Sequence, residues 1–198
     1  MRYSISVILL QETHTRKDDE IKIYGYDVVE AIHDTHYGIA TLVRSNVSVN
    51  VVGKAASTSE LKWIVIEINN TVTIVNVYKP PPASFFGMPI FRHPVINSGD
   101  FYCHHTAWGY RQCDKNGEEL FDWSSHANLH ILYHAKLLKI FHSAIWNTYT
   151  NPDISFHSHD STNILPHPTP ILAGNFLKSQ HRPTVITHSA LVEPTPTA

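Results

Sequence analysis

Two runs rich in β-branched residues, 63–68 (WIVIEI) and 72–78 (VTIVNVY), stand on either side of Asn69-Asn70. Runs of that length joined by a short Asn-Asn step form an antiparallel hairpin. Short strands of similar character recur along the chain at residues 4–10, 21–29, 37–43, 47–52, 129–133, 140–142, 154–156 and 184–187. One stretch has near-helical spacing with acids in its first turn, residues 118–127 (EELFDWSSHA). Residues 79–94 contain five prolines and form a connection rather than a domain linker, because strand signals resume directly after them. There are no internal repeats. Many short strands and few helices predict a β-sandwich decorated by helix.

Composition sets the outer limits. With 198 residues, 42% of them hydrophobic and 16% charged, the chain is long enough for one domain with a real core. A formal net charge of −2 and a pI near 6.7 rule out the bulk basic field of a protein that coats nucleic acid, yet allow an enzyme that touches a few phosphates. No apolar run approaches the ~20 residues of a membrane helix, and the N-terminal segment lacks the features of a secretory signal. Two cysteines, Cys103 and Cys113, fit a reducing compartment better than a disulfide framework. The expected setting is intracellular.

Four residues share one placement at strand ends. Glu12 follows the first apolar run, which reads as a strand buried on both faces. Asp100 ends the run Val95-Ile96-Asn97-Ser98-Gly99, Asp153 opens the 154–156 strand, and His181 precedes the last strand. Extended chain alternates sides, so with Phe101 in the core, Asp100 and Tyr102 face one shared space. Taken singly, each of these is more often a solvated acid, a turn residue or a structural histidine than a functional one. Together, acids beside a histidine suit phosphodiester hydrolysis. A hard cation such as Mg²⁺ takes carboxylate oxygens and neutralises phosphoryl charge while a base orients water.

The stretches VILLQETHT, YGIATLVRS, VTIVNVYKPPP, VINSGDFYCHHTAWGY, NGEELFDW, NPDISF and KSQHRPTVIT occur in this order from Val7 to about Thr187. In that order they resemble the endonuclease/exonuclease/phosphatase family, and within it the apurinic-type endonuclease domain of LINE-like, jockey-related non-LTR retrotransposons. The resemblance implies a four-layered α/β sandwich of two mainly antiparallel, deoxyribonuclease-I-like sheets flanked by helices. The domain spans residues 1–188, and residues 189–198 form a tail. It implies that Glu12 binds a divalent metal, Mg²⁺ or Mn²⁺, with Gln180 beside it. Tyr78 lies near the scissile phosphate, Asp100 orients the attacking water, and Asp153 pairs with the catalytic His181. The implied reaction is nicking of DNA, and the implied partners are DNA and a reverse transcriptase domain in the parent element. In an active element the setting would be the nucleus.

The sequence departs from the family pattern in three places. The family's Gly-Asp-Phe-Asn reads Gly99-Asp100-Phe101-Tyr102 here, so Tyr102 stands where an amide helps hold the phosphate. Removing one such contact costs ~10²–10³ in rate. Its Ser-Asp-His reads Ser179-Gln180-His181, a supporting change that costs ~10–100-fold. The family's first strand, carrying a metal-site Asn, and the following helix have no counterpart, in keeping with an apolar first run preceded only by three residues. A catalytically inactive, truncated retroelement remnant, which keeps the fold imperfectly or serves only to bind, is therefore the alternative expectation. Cys103, His104, His105 and Cys113 are zinc-binding types, but their spacing matches no standard zinc pattern. His157, His159 and His167 are expected in solvated loops.

Overall fold

The computed structural model describes residues 5–92, 94–132, 141–143, 148–158, 171–172, 181 and 183–186. These form strands β1 (Val7–Gln11), β2 (Tyr26–Ile32), β3 (Ile39–Arg44), β4 (Val49–Lys54), β5 (Lys62–Ile68), β6 (Val72–Tyr78) and β7 (Val95–Asp100). After a 3-10 turn at Thr106–Trp108 come helix α1 (Lys115–His126) and strands β8 (Leu129–Ile131), β9 (Phe141–Ser143), β10 (Thr148–Thr150), β11 (Asp153–Ser158), β12 (Ile171–Leu172) and β13 (Thr184–Val185).

Two sheets carry the architecture. One has six strands in the order β4-β5-β6-β7-β11-β8, and the other three in the order β1-β3-β2. Pairing is antiparallel except between β6 and β7. This is the deoxyribonuclease-I-like α/β sandwich that the motif order implies.

The β5–β6 hairpin forms where the sequence places it. Asn69 and Asn70 both take left-handed backbone, φ 51° and 55°, and the Thr71 N–H closes the turn on Ile68 O at 2.9 Å. Asn tolerates that region where β-branched residues do not. Every residue of β6 is buried. Its neighbour β7 runs parallel, so the chain must cross over, and the proline-rich connection does this without a helix of its own. Lys79 shapes that connection from inside: its ammonium is fully buried and donates to Pro80 O (3.2 Å) and Ala83 O (2.8 Å). Burial presses its pKa below the ordinary lysine value. Helix α1 anchors the far end, with the Phe85 N–H donating to Asn116 Oδ1 and the Trp123 indole N–H to Met88 O, both at 2.8 Å.

A polar bolt joins the two sheets. Asn76 on β6 is fully buried. Its amide nitrogen donates to Ala40 O at 2.9 Å, and its Oδ1 accepts from Gln11 Nε2 at 2.6 Å. A buried amide satisfied from both sides fixes the position of one sheet over the other, since slippage would orphan it. On the opposite face of the large sheet an aromatic cluster packs edge to face: Phe101 with Phe156 (5.9 Å between centroids), Phe101 with Phe85 (6.4 Å) and Phe85 with Trp123 (5.8 Å).

Several boundaries differ from expectation. The strand expected over 21–29 is β2, shifted to Tyr26–Ile32, because residues before it close a turn through the Ile23–Tyr26 bridge. Strand β1 is half-buried rather than buried on both faces, since within its sheet it pairs with β3 alone. Helix α1 starts at Lys115, three residues ahead of the expected Glu118, because the Asp114 carboxylate caps it by accepting the Gly117 N–H at 2.7 Å. His157 is buried, not solvated, because it lies within β11 opposite Ile96 and His130. The expectations for His159, His167, Gln180 and the tail fall outside the described residues.

Candidate active site

Sheet register sets out the site. Tyr78 is the direct partner of Asp100 across β6–β7, and Asp100 of Asp153 across β7–β11. Lys62 is the partner of Tyr78 across β5–β6. Directly opposed residues project to the same face of a sheet. Lys62, Tyr78, Asp100 and Asp153 therefore form one rung across four strands, on the face that meets the small sheet. With strands ~4.8 Å apart, adjacent members sit about that far from one another.

The small sheet and the C-terminal segment complete the group. Glu12 follows β1 with left-handed backbone (φ 52°), and its Oε1 accepts the Tyr78 O–H at 2.8 Å. His181 bridges to Phe141 of β9, whose ring lies 4.7 Å from the imidazole centroid. That contact turns His181 Nδ1 toward Asp153 Oδ2 at 2.7 Å. One ligand atom each from Asp100, Asp153 and His181 lies within 4.8 Å of the other two.

Backbone geometry fixes the place of Asp100. Gly99 sits against β6 so closely that a Cβ there would lie 1.8 Å from Val77 O, so this step of β7 has room only for glycine. Asp100 itself is 1% exposed. Its Oδ1 accepts the Tyr102 N–H at 3.1 Å, whereas its buried Oδ2 has no hydrogen-bond partner among the described residues. Phe101 points into the aromatic core, as alternation requires. Tyr102 does share the Asp100 space, but by another route: β7 has ended, and Tyr102 takes φ 42°.

Electrostatics follow from this crowding. Burial, then the Asp153 charge, push the Asp100 carboxyl well above the usual range. Burial lowers His181, but the hydrogen bond and charge of Asp153, with Asp100 and Glu12 beyond, outweigh it and hold the imidazole above its ordinary value. The Tyr78 phenol is driven far up by burial and by its bond to Glu12. Tyr102 is pushed up to about 12 by burial and by the carboxylates of Asp100, Glu12 and Asp153.

The structure thus brings together Glu12, Tyr78, Asp100, Tyr102, Asp153 and His181, while Gln180 lies outside the described residues. Three further residues shape the site. Asn76 and Phe141 position it, and Tyr110, stacked on His104 at 4.1 Å, is raised by burial and by the charges of Asp100 and Asp153. Asn76 stands two residues before Tyr78 in a β run, the one local signal that it shares the Tyr78 face.

The residues present suit a hard divalent cation. Asp100 Oδ2 is an orphaned buried oxygen, and the donor set around it is rich in carboxylate. The Cys103–Cys113 segment forms no metal cluster among the described residues. Cys103 Sγ lies 3.0 Å from Phe101 O and its thiol is pushed up to about 12 by burial, while His105 stacks on Phe121 at 4.6 Å.

The fold is shared with known structures. The endonuclease domain of TRAS1, a telomere-specific non-LTR retrotransposon, superposes with a TM-score of 0.56 at 17% identity, over 89% of this chain and 75% of that one. A humanized D. rerio TDP2 with 14 mutations superposes with a TM-score of 0.52 at 14% identity, over 89% and 80%. No family model matches the chain, and no curated protein matches it.

Proposed function

We propose that this chain is a divalent-metal-dependent phosphodiesterase domain that nicks DNA. The observation that carries the proposal is the Tyr78–Asp100–Asp153 rung, with His181 2.7 Å from Asp153 at one end and Glu12 2.8 Å from the Tyr78 hydroxyl at the other. The fold it shares with a retrotransposon endonuclease domain supports the same reading.

Each residue has a role that its surroundings suit. His181, whose pKa Asp153 holds above the ordinary histidine value, donates from its outward nitrogen to a non-bridging oxygen of the scissile phosphate. Asp100 orients the attacking water and takes its proton, a role suited to a carboxyl raised by burial. Tyr78, whose proton is held firmly, steers Glu12 and lines the phosphate position. Tyr102 contributes a neutral phenol beside the same phosphate. Glu12, Asp100 and Asp153 would supply the oxygens for Mg²⁺ or Mn²⁺, with Gln180 as a further neighbour. When bound, that cation neutralises charge developing on the phosphoryl group. In a retroelement the domain would act in the nucleus beside a reverse transcriptase.

The test is conversion of supercoiled plasmid to open circle by the purified chain with Mg²⁺, reversed by a chelator. A plasmid left supercoiled at micromolar protein overturns the proposal. Tyr102 favours the second reading, a chain that binds DNA without cutting, since it stands where the resembling family has an amide. Binding without nicking is that reading's signature.

A further inference from the structure

Beside the Lys62 end of the rung, walled in part by residues that Lys62 contacts, lies a cleft of about 570 Å³ that the catalytic group leaves unused. The loop after β1 and the start of β2–β3 form one wall, and the end of β4 with Ser57 forms the other. Its lining carries three cations, Arg16, Lys17 and Lys54, against one acid, Asp34. That acid is already matched: its Oδ1 accepts the N–H groups of His36 (2.9 Å) and Tyr37 (3.0 Å), and Lys62 Nζ lies 3.6 Å from Oδ2. Lys54 is paired with Glu30 at 2.9 Å. Arg16 and Lys17 are exposed and hold no ion pair among the described residues. Three exposed acids follow on the same loop, Asp18, Asp19 and Glu20; Asp19 folds back to accept the Arg16 N–H at 2.6 Å, and Glu20 pairs with Lys22 at 2.8 Å.

The loop that carries these cations is braced. The Thr13 and Thr15 hydroxyls lie 3.2 Å apart, and Thr15 Oγ1 lies 3.0 Å from His33 Nδ1. Glu12 opens this loop, and four residues of chain reach at most ~14 Å, so Arg16 stays near the acid cluster. The rung gives a second measure. Lys62 touches both walls, through Asp34 and through its 2.6 Å bond to Ser57 O, and it is two strands from Asp100. Two strand spacings are ~10 Å, so the walls that Lys62 joins stand close to the acid cluster.

We propose that this cleft is a backbone subsite, in which Arg16 and Lys17 take two phosphates of the DNA flanking the cut. The inference rests on the nicking proposal for its substrate. It adds cations outside the acidic centre: Arg16 and Lys17 hold the polyanion that the carboxylates there repel.

The experiment measures affinity for a fluorescent 21-base-pair duplex against salt, in chelator, with the full chain. R16Q/K17Q is compared with wild type and with R92Q/K115Q, which removes equal charge elsewhere. Each phosphate contact contributes ~0.9 to the salt slope. Between 50 and 200 mM salt, wild type and R92Q/K115Q should lose about 12-fold more affinity than R16Q/K17Q. Equal slopes for the two double variants, with unchanged circular dichroism, overturn the subsite, as does wild type that binds no duplex at 50 mM salt. Nicking assays on the same preparations separate the two proposals. Nicking with equal slopes leaves the function standing without the subsite, and a reduced slope without nicking leaves the subsite standing without the function.

Discussion

Asp153 stands directly opposite Asp100 on the neighbouring strand, and His181 Nδ1 closes on Asp153 Oδ2 at 2.7 Å. Opposed acids on one rung repel each other. The imidazolium offsets that repulsion, and a divalent cation would offset it further. Most of the site's measurable behaviour follows from this arrangement.

The imidazole of His181 is held above its ordinary pKa despite burial, chiefly by its bond to Asp153. A raised folded pKa contributes stability that is complete below the unfolded histidine value and vanishes as pH rises through the folded one. Asp153→Asn should therefore lower stability more at pH 6 than at pH 9, measured by urea unfolding. In metal-free protein, NMR titration should show His181 titrating at lower pH in the variant. Equal losses at both pH values would count against the pair.

For Asp100 the pH dependence has the same sign, but here it is the neutral form that the fold favours. Burial and Asp153 raise its carboxyl, so the folded state binds that proton more tightly than the unfolded chain does. Stability falls as pH rises from the ordinary carboxylate range to the folded value. Asp100→Asn should then raise the melting temperature of metal-free protein at pH 8 by about 2–4 °C, the response of a domain this size to ~1 kcal/mol. The same variant should lose nicking. Functional sites often carry such a trade-off.

At Tyr102 a bulky residue occupies left-handed backbone, φ 42°. Asn accepts that conformation at lower cost and returns an amide to the phosphate position. Tyr102→Asn should accelerate nicking by ~10²–10³ and stabilise the fold by ~1 kcal/mol. A slower variant would show that the phenol itself serves the reaction.

Gly99 has no space for a side chain, since its Cβ would fall 1.8 Å from Val77 O. Gly99→Ala must push β7 from β6 and shift the Tyr78–Asp100 pair. The expected cost is about 3 kcal/mol, the upper range for overpacking, read as a lower urea midpoint. An unchanged midpoint would contradict the strand contact.

Much of this was legible in the chain. The Asn69-Asn70 hairpin, the strand ending at Asp100 and the one opening at Asp153 all follow from local composition and turn chemistry. Register does not. Nothing near Lys62, Tyr78, Asp100 or Asp153 says that they form one rung, because cross-strand pairing is a long-range property. The buried polar residues Asn76 and Lys79 escaped for the same reason: their partners, Ala40 and Gln11 for one and the carbonyls of a folded-back loop for the other, exist only in the assembled sandwich. His157 reads as loop because the expected strand stops at Phe156 and polar residues follow, while the ladder with β7 and β8 carries on through it and buries it. Tyr102 was placed on the Asp100 side by alternation, yet reaches it through a left-handed residue that alternation does not describe.

The central claim is that Glu12 and His181 act with this rung on one phosphate. The direct measurement is the rate of plasmid nicking in Mg²⁺ by wild type, Glu12→Ala and His181→Ala, prepared identically and shown to be folded. Losing a metal ligand or the phosphate-binding imidazole should reduce the rate by ~10³ or more. Nicking by both variants at the wild-type rate would contradict the account.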